Sequence, residues 1–135
     1  MSTIFSKIIT REIPGVFVYE DDVCVVIMDA FPSVPGQMLV LPRQAVDYIL
    51  DLEENLYQHL WAVAKKVGLA ADAALAVSRT CLVVEGFEIP HTHIKVYPVP
   101  IGKTFTEVVH TAEAPSMADP SDLSLLAKAI KAQVL

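Results

Sequence analysis

Residues 91–97 form the stretch His91-Thr92-His93-Ile94-Lys95-Val96-Tyr97. Side chains along a β-strand alternate between its two faces. A strand over these residues therefore places the two histidines, Lys95 and Tyr97 on one face, and three less polar side chains on the other. This alternation predicts a strand with one face on a core and an opposite face on which two imidazoles and an ammonium meet.

The polar face of this stretch brings together groups that influence one another's protonation. Like charges held so close repel, so Lys95 is expected to push His91 and His93 toward their neutral forms. A neutral imidazole is a nucleophile that can attack phosphorus. Two alternatives stay open: a polar face that only meets solvent, and a zinc site completed by Glu85 or Glu88, which the Lys95 charge opposes.

Four more strands are predicted on the N-terminal side of this stretch. Two β-branched, apolar runs flank the charged residues Glu20–Asp22, which indicates a hairpin. The connection Gly86–Pro90 predicts a tight turn into the last strand, which Pro98 and Pro100 are expected to close. The five predicted strands cover residues 16–19, 23–28, 38–41, 80–85 and 91–97.

Three helices are predicted around these strands. A short helix covers residues 4–9, and a long helix over 52–76 carries one apolar stripe that would cover a sheet. His59 and Trp61 lie on or beside this stripe, where packing is the expected role. Ser121 is expected to cap a last helix over 122–134. The stretch 103–109 is expected to add a short strand or an ordered arm.

This order of elements predicts an α+β fold with a five-stranded antiparallel sheet, a long covering helix and a C-terminal helix. Residues 1–111 are expected to form the domain. Residues 112–135 are expected to form a linker and a helix that packs on the same domain or on a partner subunit.

Composition narrows the classes of partner. The net charge of −6 argues against nucleic acid, because binding to its backbone depends on clustered Lys and Arg. The longest apolar run, Val23–Met28, is far shorter than the roughly 20 residues of a membrane span. With no secretory pattern at the N-terminus, a cytoplasmic protein is expected. Cys24 and Cys81 are predicted to be free thiols.

Several blocks of the chain resemble, in order, the landmarks of the histidine-triad (HIT) family. The likeness is greatest to the small nucleoside phosphoramidases and dinucleotide hydrolases, whose signature is His-φ-His-φ-His-φ-φ. It implies the α+β fold above, a nucleotide pocket between the first helix and the sheet, frequent homodimers, and no metal or other cofactor. The matching blocks are 4–8, 20–22, Asp29, 35–43 and 90–95.

The resemblance also implies roles for particular residues. His93 holds the middle position of the triad, where the family forms a transient nucleotidyl-histidine. The backbone carbonyl of His91 would accept a hydrogen bond from the other ring nitrogen of His93. Asp29 would take the ribose hydroxyls, although an Asx turn is its ordinary alternative. The base would lie between apolar side chains, namely Ile4, Phe5, Ile8 and Ile27.

The sequence departs from the family pattern at the third position of the triad. Lys95 places a fixed cation where a histidine could hold or donate a proton. Glu88 stands where a phosphate-contacting serine is common, and Glu85 where an asparagine is common. Histidines are common at the positions of Gln37 and Ala45. The prediction is a hydrolase or nucleotidyl-transfer enzyme for a purine nucleoside monophosphate derivative; the alternative is a nucleotide-binding module with weak or lost catalysis.

Overall fold

The computed structural model describes residues 2–109 and 114–135. A short 3-10 helix at Ile49–Asp51 precedes the longest helix. The helices are α1 (Ile4–Ile9), α2 (Glu54–Ala74), α3 (Phe105–Val109) and α4 (Pro120–Lys131). The strands are β1 (Phe17–Glu20), β2 (Cys24–Met28), β3 (Met38–Pro42), β4 (Val77–Val83) and β5 (Ile94–Pro100).

The strands form one antiparallel sheet in the order β1-β2-β3-β5-β4. The predicted α+β fold with a five-stranded antiparallel sheet and a long covering helix is confirmed. The hairpin of β1 and β2 turns at Asp21, whose Oδ1 accepts hydrogen bonds from the backbone N–H groups of Val23 and Cys24.

Both faces of the central strands are covered. Cys24, Val26 and Met28 of β2 face α2 and α4, while Val25 and Ile27 face α1. Every residue of β2 and β3 is consequently buried, which explains why both strands are continuous apolar runs instead of alternating patterns. The sheet therefore carries two separate apolar layers, and the catalytic candidates lie on the α1 side.

The C-terminal helix packs on its own chain. Leu123, Ala127 and Ile130 of α4 are buried in the layer beneath α2, and α4 contacts α2 and β1. The helix begins two residues before the predicted start, because Asp119 and not Ser121 is the N-cap: its Oδ1 accepts from the Ser121 N–H at 2.9 Å. The predicted domain boundary after residue 111 stays a prediction, because residues 110–113 lie outside the part of the chain that the structure describes.

The predicted boundaries of the last two strands were wrong. β5 covers 94–100 instead of 91–97, and β4 covers 77–83 instead of 80–85. Pro98 and Pro100 lie inside β5 because β3 pairs with it only as far as Val96. Beyond that point β5 has one neighbour, so a residue without an N–H leaves no ladder bond unmade on the open side.

Of the two expectations for residues 103–109, the strand was wrong, because Phe105–Val109 form a helix. The Thr104 hydroxyl oxygen accepts a hydrogen bond from the Glu107 backbone N–H, which starts the short helix α3. The Phe105 ring then packs edge-on against Tyr97, with 5.2 Å between ring centroids. This contact covers the end of β5 beyond the catalytic candidates.

Among the helices that the structure describes, none has both the length and the apolar character to cross a membrane.

Candidate active site

His93 lies immediately before β5, and its ring is held by the backbone. Its Nδ1 is 2.8 Å from the His91 carbonyl oxygen. A carbonyl can only accept, so Nδ1 carries the hydrogen, and in the neutral ring the lone pair is on Nε2. The structure thus contains the hydrogen bond that the resemblance implied, and it selects the tautomer with a free Nε2.

The surroundings of His93 favour its neutral form. The side chain is 5% exposed, and burial is the main reason why its pKa is lowered from 6.5. The nearby Lys95 charge lowers the pKa further, while the His91 carbonyl, Asp29 and Glu85 act in the opposite direction. The net result is an imidazole whose lone pair is available at neutral pH.

His91 is fixed through both of its ring nitrogens. Nε2 donates to the Pro42 carbonyl oxygen at 2.8 Å, and Nδ1 accepts from the Thr3 hydroxyl at 2.9 Å. Burial lowers the pKa of His91 as well, in keeping with a neutral ring. Because no ring lone pair is free, His91 contributes its backbone carbonyl to the site, and its side chain anchors that carbonyl.

Thr92 completes the anchoring of this segment. Its backbone N–H and its hydroxyl each donate to the Val46 carbonyl oxygen at 2.7 Å. These bonds bind the segment to the chain that follows β3 instead of to a neighbouring strand. They are the physical reason why residues 91–93 precede β5 and do not belong to it.

The hydrogen bonds of the two histidines also bear on the zinc alternative. Both nitrogens of His91 and Nδ1 of His93 already have partners. The pair therefore offers a single free lone pair, at His93 Nε2. A zinc ion shared by the two rings would have to displace a buried hydrogen bond of His91.

Lys95 forms an ion pair in the site. Its Nζ is 2.8 Å from Glu85 Oε2, and the side chains are 17% and 48% exposed. Burial acts to lower the pKa of Lys95, but the Glu85 hydrogen bond and nearby groups raise it overall. The same hydrogen bond lowers the pKa of Glu85. Lys95 is thus a fixed cation across the physiological range.

Helix α1 brings an aromatic wall to the histidines. Thr3 caps the helix by accepting from the Ser6 N–H, and Ser6 Oγ accepts from the Thr3 N–H in return, a reciprocal cap that fixes the first turn. The Phe5 ring meets the His93 ring edge-on, with 5.0 Å between centroids. The cap therefore positions both the hydroxyl that holds His91 and the ring beside His93.

The four predicted base-contacting residues fall into two groups. Phe5 and Ile27 are buried in the apolar layer between α1 and the sheet. Ile8 packs against that layer and is half-buried, while Ile4 is 49% exposed. Ile4 and Ile8 thus offer accessible apolar surface, with Phe5 and Ile27 beneath.

Asp29 follows β2 and makes the Asx turn that was its alternative role. Its Oδ1 accepts from the Phe31 N–H at 2.9 Å, and its Oδ2 accepts from Gln37 Nε2 at 2.7 Å. Gln37 Oε1 in turn accepts from the Ser33 N–H. Each carboxylate oxygen keeps a second acceptor position. The turn and a ligand-binding role are therefore compatible.

The connection between β4 and β5 is exposed beside Lys95. Phe87 is 91% exposed, and Glu88 is also exposed. The Glu88 charge contributes to raising the pKa values of Lys95 and Tyr97, which places its carboxylate near both. Together with Glu85, it gives Lys95 two neighbouring carboxylates.

Sequence reasoning missed three groups that position the site. They are the Thr3 hydroxyl, the Pro42 carbonyl and the Gln37 amide. The Thr-x-x-Ser spacing of residues 3–6 is a capping signal that could have singled out Thr3. Nothing local marks the other two, because their partners are 49 and 8 residues away.

Residues 10–99 match the HIT domain. This chain belongs to the HIT family. An uncharacterized HIT-like protein from Synechocystis sp. is 37% identical over 93 residues, which are 67% of this chain and 80% of the relative. The match supports a function of the HIT type connected with nucleotides.

Two solved structures of HIT proteins resemble the present one. A hypothetical histidine triad nucleotide-binding protein from Sulfolobus tokodaii is 27% identical, with a TM-score of 0.84, over 96% of this chain and 90% of its own. A HIT family hydrolase from Clostridium thermocellum is 25% identical, with a TM-score of 0.65, over 77% of this chain and 96% of its own. The fold of this HIT protein is therefore the family fold.

Proposed function

We propose that this HIT protein is a hydrolase or nucleotidyl-transfer enzyme that acts on a nucleoside monophosphate derivative through a covalent nucleotidyl-histidine at His93. One observation carries the proposal. The His91 carbonyl holds the hydrogen on Nδ1 of a buried, neutral imidazole, so that Nε2 presents its lone pair. The solved relatives whose names include nucleotide-binding and hydrolase functions support the same reaction class.

The reaction takes place in two displacements. In the first, the Nε2 lone pair of His93 forms a bond to phosphorus, and the bond from phosphorus to the leaving oxygen or nitrogen breaks. The leaving group takes that electron pair and a proton from solvent. The ring becomes cationic, and its Nδ1–H remains bonded to the His91 carbonyl, which stabilises the charge.

In the second displacement, water attacks phosphorus and loses its proton to solvent, and the N–P electron pair returns to His93. A nucleoside or phosphate hydroxyl in place of water would give transfer instead of hydrolysis. Splitting the reaction in this way replaces one difficult displacement by two easier ones. No metal is needed to generate the nucleophile.

Lys95 occupies the third position of the triad in this proposal and stabilises charge on the phosphoryl oxygens. A preorganised cation in a half-buried site is effective because it does not have to reorient during the reaction. Its raised pKa makes it a poor proton donor. The leaving group of a phosphoramidate or a dinucleotide therefore takes its proton from solvent.

The nucleotide would lie along α1 and the end of β2. Asp29 accepts hydrogen bonds from the ribose hydroxyls through its remaining lone pairs, and the apolar surface of Ile4 and Ile8 contacts the base above Phe5 and Ile27. Glu88 lines the leaving-group side. Apolar contacts of this kind supply affinity with little base selectivity, and a purine offers the larger contact area.

The proposal is tested by separating binding from turnover in His93→Gln. Hydrolysis of a nucleoside phosphoramidate should fall by about 10³-fold or more, since the nucleophile is gone. AMP affinity measured by calorimetry should stay within about threefold, because binding uses other residues. His59→Gln is the matched control, since it changes a histidine on the opposite side of the sheet, and it should keep full turnover. Turnover retained in His93→Gln would refute the mechanism.

A nucleotide-binding module without efficient catalysis is the second candidate. Its support is the ion pair of Lys95 with Glu85, since a substrate phosphate must compete with that carboxylate. Tight AMP or GMP binding by the wild-type chain with no turnover of phosphoramidates or dinucleotides would favour it.

Two further features belong to the proposal. The edge strand β4 exposes Leu82, which supports a homodimer through this edge of the sheet. Sedimentation of the purified chain tests that assembly.

A cytoplasmic location remains a proposal that fits the free thiols Cys24 and Cys81.

A further inference from the structure

A second cluster of reactive side chains lies on the opposite face of the sheet from His93. Asp21 is in the turn after β1, Cys24 is the first residue of β2, and His59 lies on α2. Each offers one ligand atom, and these atoms all lie within 4.8 Å of one another. In the part of the chain that the structure describes, this is the one group of three or more such residues with that geometry.

The cluster is organised around one oxygen, Asp21 Oδ2. It is 2.6 Å from His59 Nε2 and 3.5 Å from Cys24 Sγ, and it accepts from the Tyr19 hydroxyl at 2.9 Å. The other oxygen, Oδ1, is held by two backbone N–H groups of the turn. The carboxylate is thus fixed in place, while three hydrogens converge on its second oxygen.

The distances suit a tetrahedral zinc ion. Zinc bonds of about 2.3 Å to sulfur and about 2.1 Å to oxygen put tetrahedral sulfur and oxygen ligands roughly 3.6 Å apart. Sγ and Oδ2 are already 3.5 Å apart. His59 must move away by about 1 Å, and it has room because its side chain is 40% exposed on α2.

We propose that Asp21, Cys24 and His59 bind one Zn²⁺ ion, with a water molecule as the fourth ligand on the exposed side of His59. Thiolate, imidazole and carboxylate are a ligand set that zinc accepts. None of the three residues takes part in the proposed phosphoryl chemistry. The ion would tie the β1–β2 turn to α2.

Zinc binding displaces one proton, that of the Cys24 thiol. Burial and the Asp21 charge raise the pKa of Cys24 to about 12, so the thiol holds its proton until a cation replaces it. Zinc binding releases that proton to solvent. A neutral His59 moves its hydrogen from Nε2 to Nδ1 without a net change. The ion, thiolate and carboxylate then sum to zero charge, while the nearby Arg43 guanidinium and Lys66 ammonium limit the affinity.

The metal-free chain, prepared by dialysis against a chelator, is titrated with Co²⁺ as a spectroscopic probe. We expect one equivalent to bind, with a thiolate-to-cobalt charge-transfer band that Zn²⁺ abolishes by displacement. His59→Gln should weaken Co²⁺ binding by at least about tenfold, corresponding to loss of one ligand. Cys24→Ser should remove the band altogether.

Two matched controls decide where the ion lies. Cys81→Ser changes the other free cysteine and should keep the band, and His93→Gln should also keep it. Since His59 is partly exposed, its variant is expected to fold, as circular dichroism would show, so it decides the question even if Cys24→Ser does not fold. Absence of a band, or binding that His93→Gln abolishes and His59→Gln retains, would overturn the proposal.

Discussion

At the scale of single residues, the chemistry depends on which nitrogen of His93 carries the hydrogen. The motif alone predicts a histidine-rich face but cannot distinguish the two rings. The structure does, because His91 uses both nitrogens in hydrogen bonds while His93 uses one. The two histidines, although two residues apart, consequently have different roles.

The lowered pKa of His93 predicts the acid side of the pH profile. The reactive form is the neutral ring, and a folded-state pKa below 6.5 keeps it populated to lower pH. We expect the midpoint of the acidic decline in kcat/KM to lie below pH 6.5. Measurement of kcat/KM between about pH 5 and 8, with ring titration by NMR, checks this. A decline centred above pH 6.5 would contradict it.

Replacing Lys95 tests charge stabilisation. Lys95→Met keeps most of the side-chain volume but removes the cation, so kcat should fall by about 10²–10³-fold, the usual loss for one transition-state donor. Glu85 is half exposed, so loss of its partner should hardly affect folding. Lys103→Met, an exposed lysine after β5, is the control and should retain wild-type kcat. A kcat unchanged in Lys95→Met would remove Lys95 from the mechanism.

The sequence predicted which residues belong to the candidate site better than it predicted how they are held. Alternation correctly grouped Lys95 and Tyr97 on one face of β5. It could not show that Gln37 binds the Asp29 carboxylate or that Glu85 pairs with Lys95, because each pair is brought together by strand pairing. For Asp29, the sequence indicates both an Asx turn and a ligand-binding role as alternatives. Only the structure shows that the carboxylate can make the turn and still accept hydrogen bonds from a ligand.

At the scale of elements, α1 and the segment before β5 act as one unit. The Thr3 hydroxyl accepts from the first turn of α1 and donates to His91. Residues 91 and 92 are in turn bound to Pro42 at the end of β3 and to Val46 beyond it. The His91 carbonyl, and with it the His93 ring, is thus positioned by three different parts of the chain.

Removing the Thr3 hydroxyl should loosen this unit. Thr3→Val deletes the cap of α1 and leaves His91 Nδ1 buried without a donor, which should lower the free energy of unfolding by about 2–3 kcal/mol. Urea denaturation measures the change. Thr3→Ser should restore most of the stability, since it keeps the hydroxyl. Thr10→Val at the exposed end of α1 is the control, and an equal loss there would contradict the role of Thr3.

Element boundaries show where local patterns fail. Polar and less polar residues do alternate from His91 onward, but the hydrogen bonds from Thr92 to Val46 keep residues 91–93 out of the sheet. Pro98 and Pro100 predicted that the strand would end before them. It continues because β3 no longer pairs with β5 at these positions, so no hydrogen bond to β3 is lost there. The predicted helix over 52–76 agrees with α2 to within two residues at each end, because its apolar stripe is long and regular.

At the scale of the whole molecule, the sheet separates the two proposed sites. The α1 side holds His93, Lys95 and Asp29. The α2 side holds the main apolar layer and the proposed zinc ligands. A change in one layer should therefore be tolerated by the other unless it unfolds the chain.

The buried side of α4 tests how much the C-terminal helix contributes to this single core. Ile130 is fully buried, so Ile130→Ala should cost about 2–5 kcal/mol of unfolding free energy. Leu125→Ala on the exposed face of the same helix should cost less than about 0.5 kcal/mol. Thermal and urea unfolding of both variants measures the difference. Equal, small losses would mean that α4 is dispensable for the core.

The proposed covalent bond between His93 Nε2 and phosphorus can be trapped and located on the chain. The wild-type chain is mixed with a nucleoside phosphoramidate, quenched at alkaline pH, where N–P bonds last longest, and analysed by peptide mass spectrometry. We predict one nucleotidyl group, located on His93 and absent in His93→Gln. Turnover without any adduct at His93, or an adduct on another residue that persists in His93→Gln, would contradict covalent catalysis by His93.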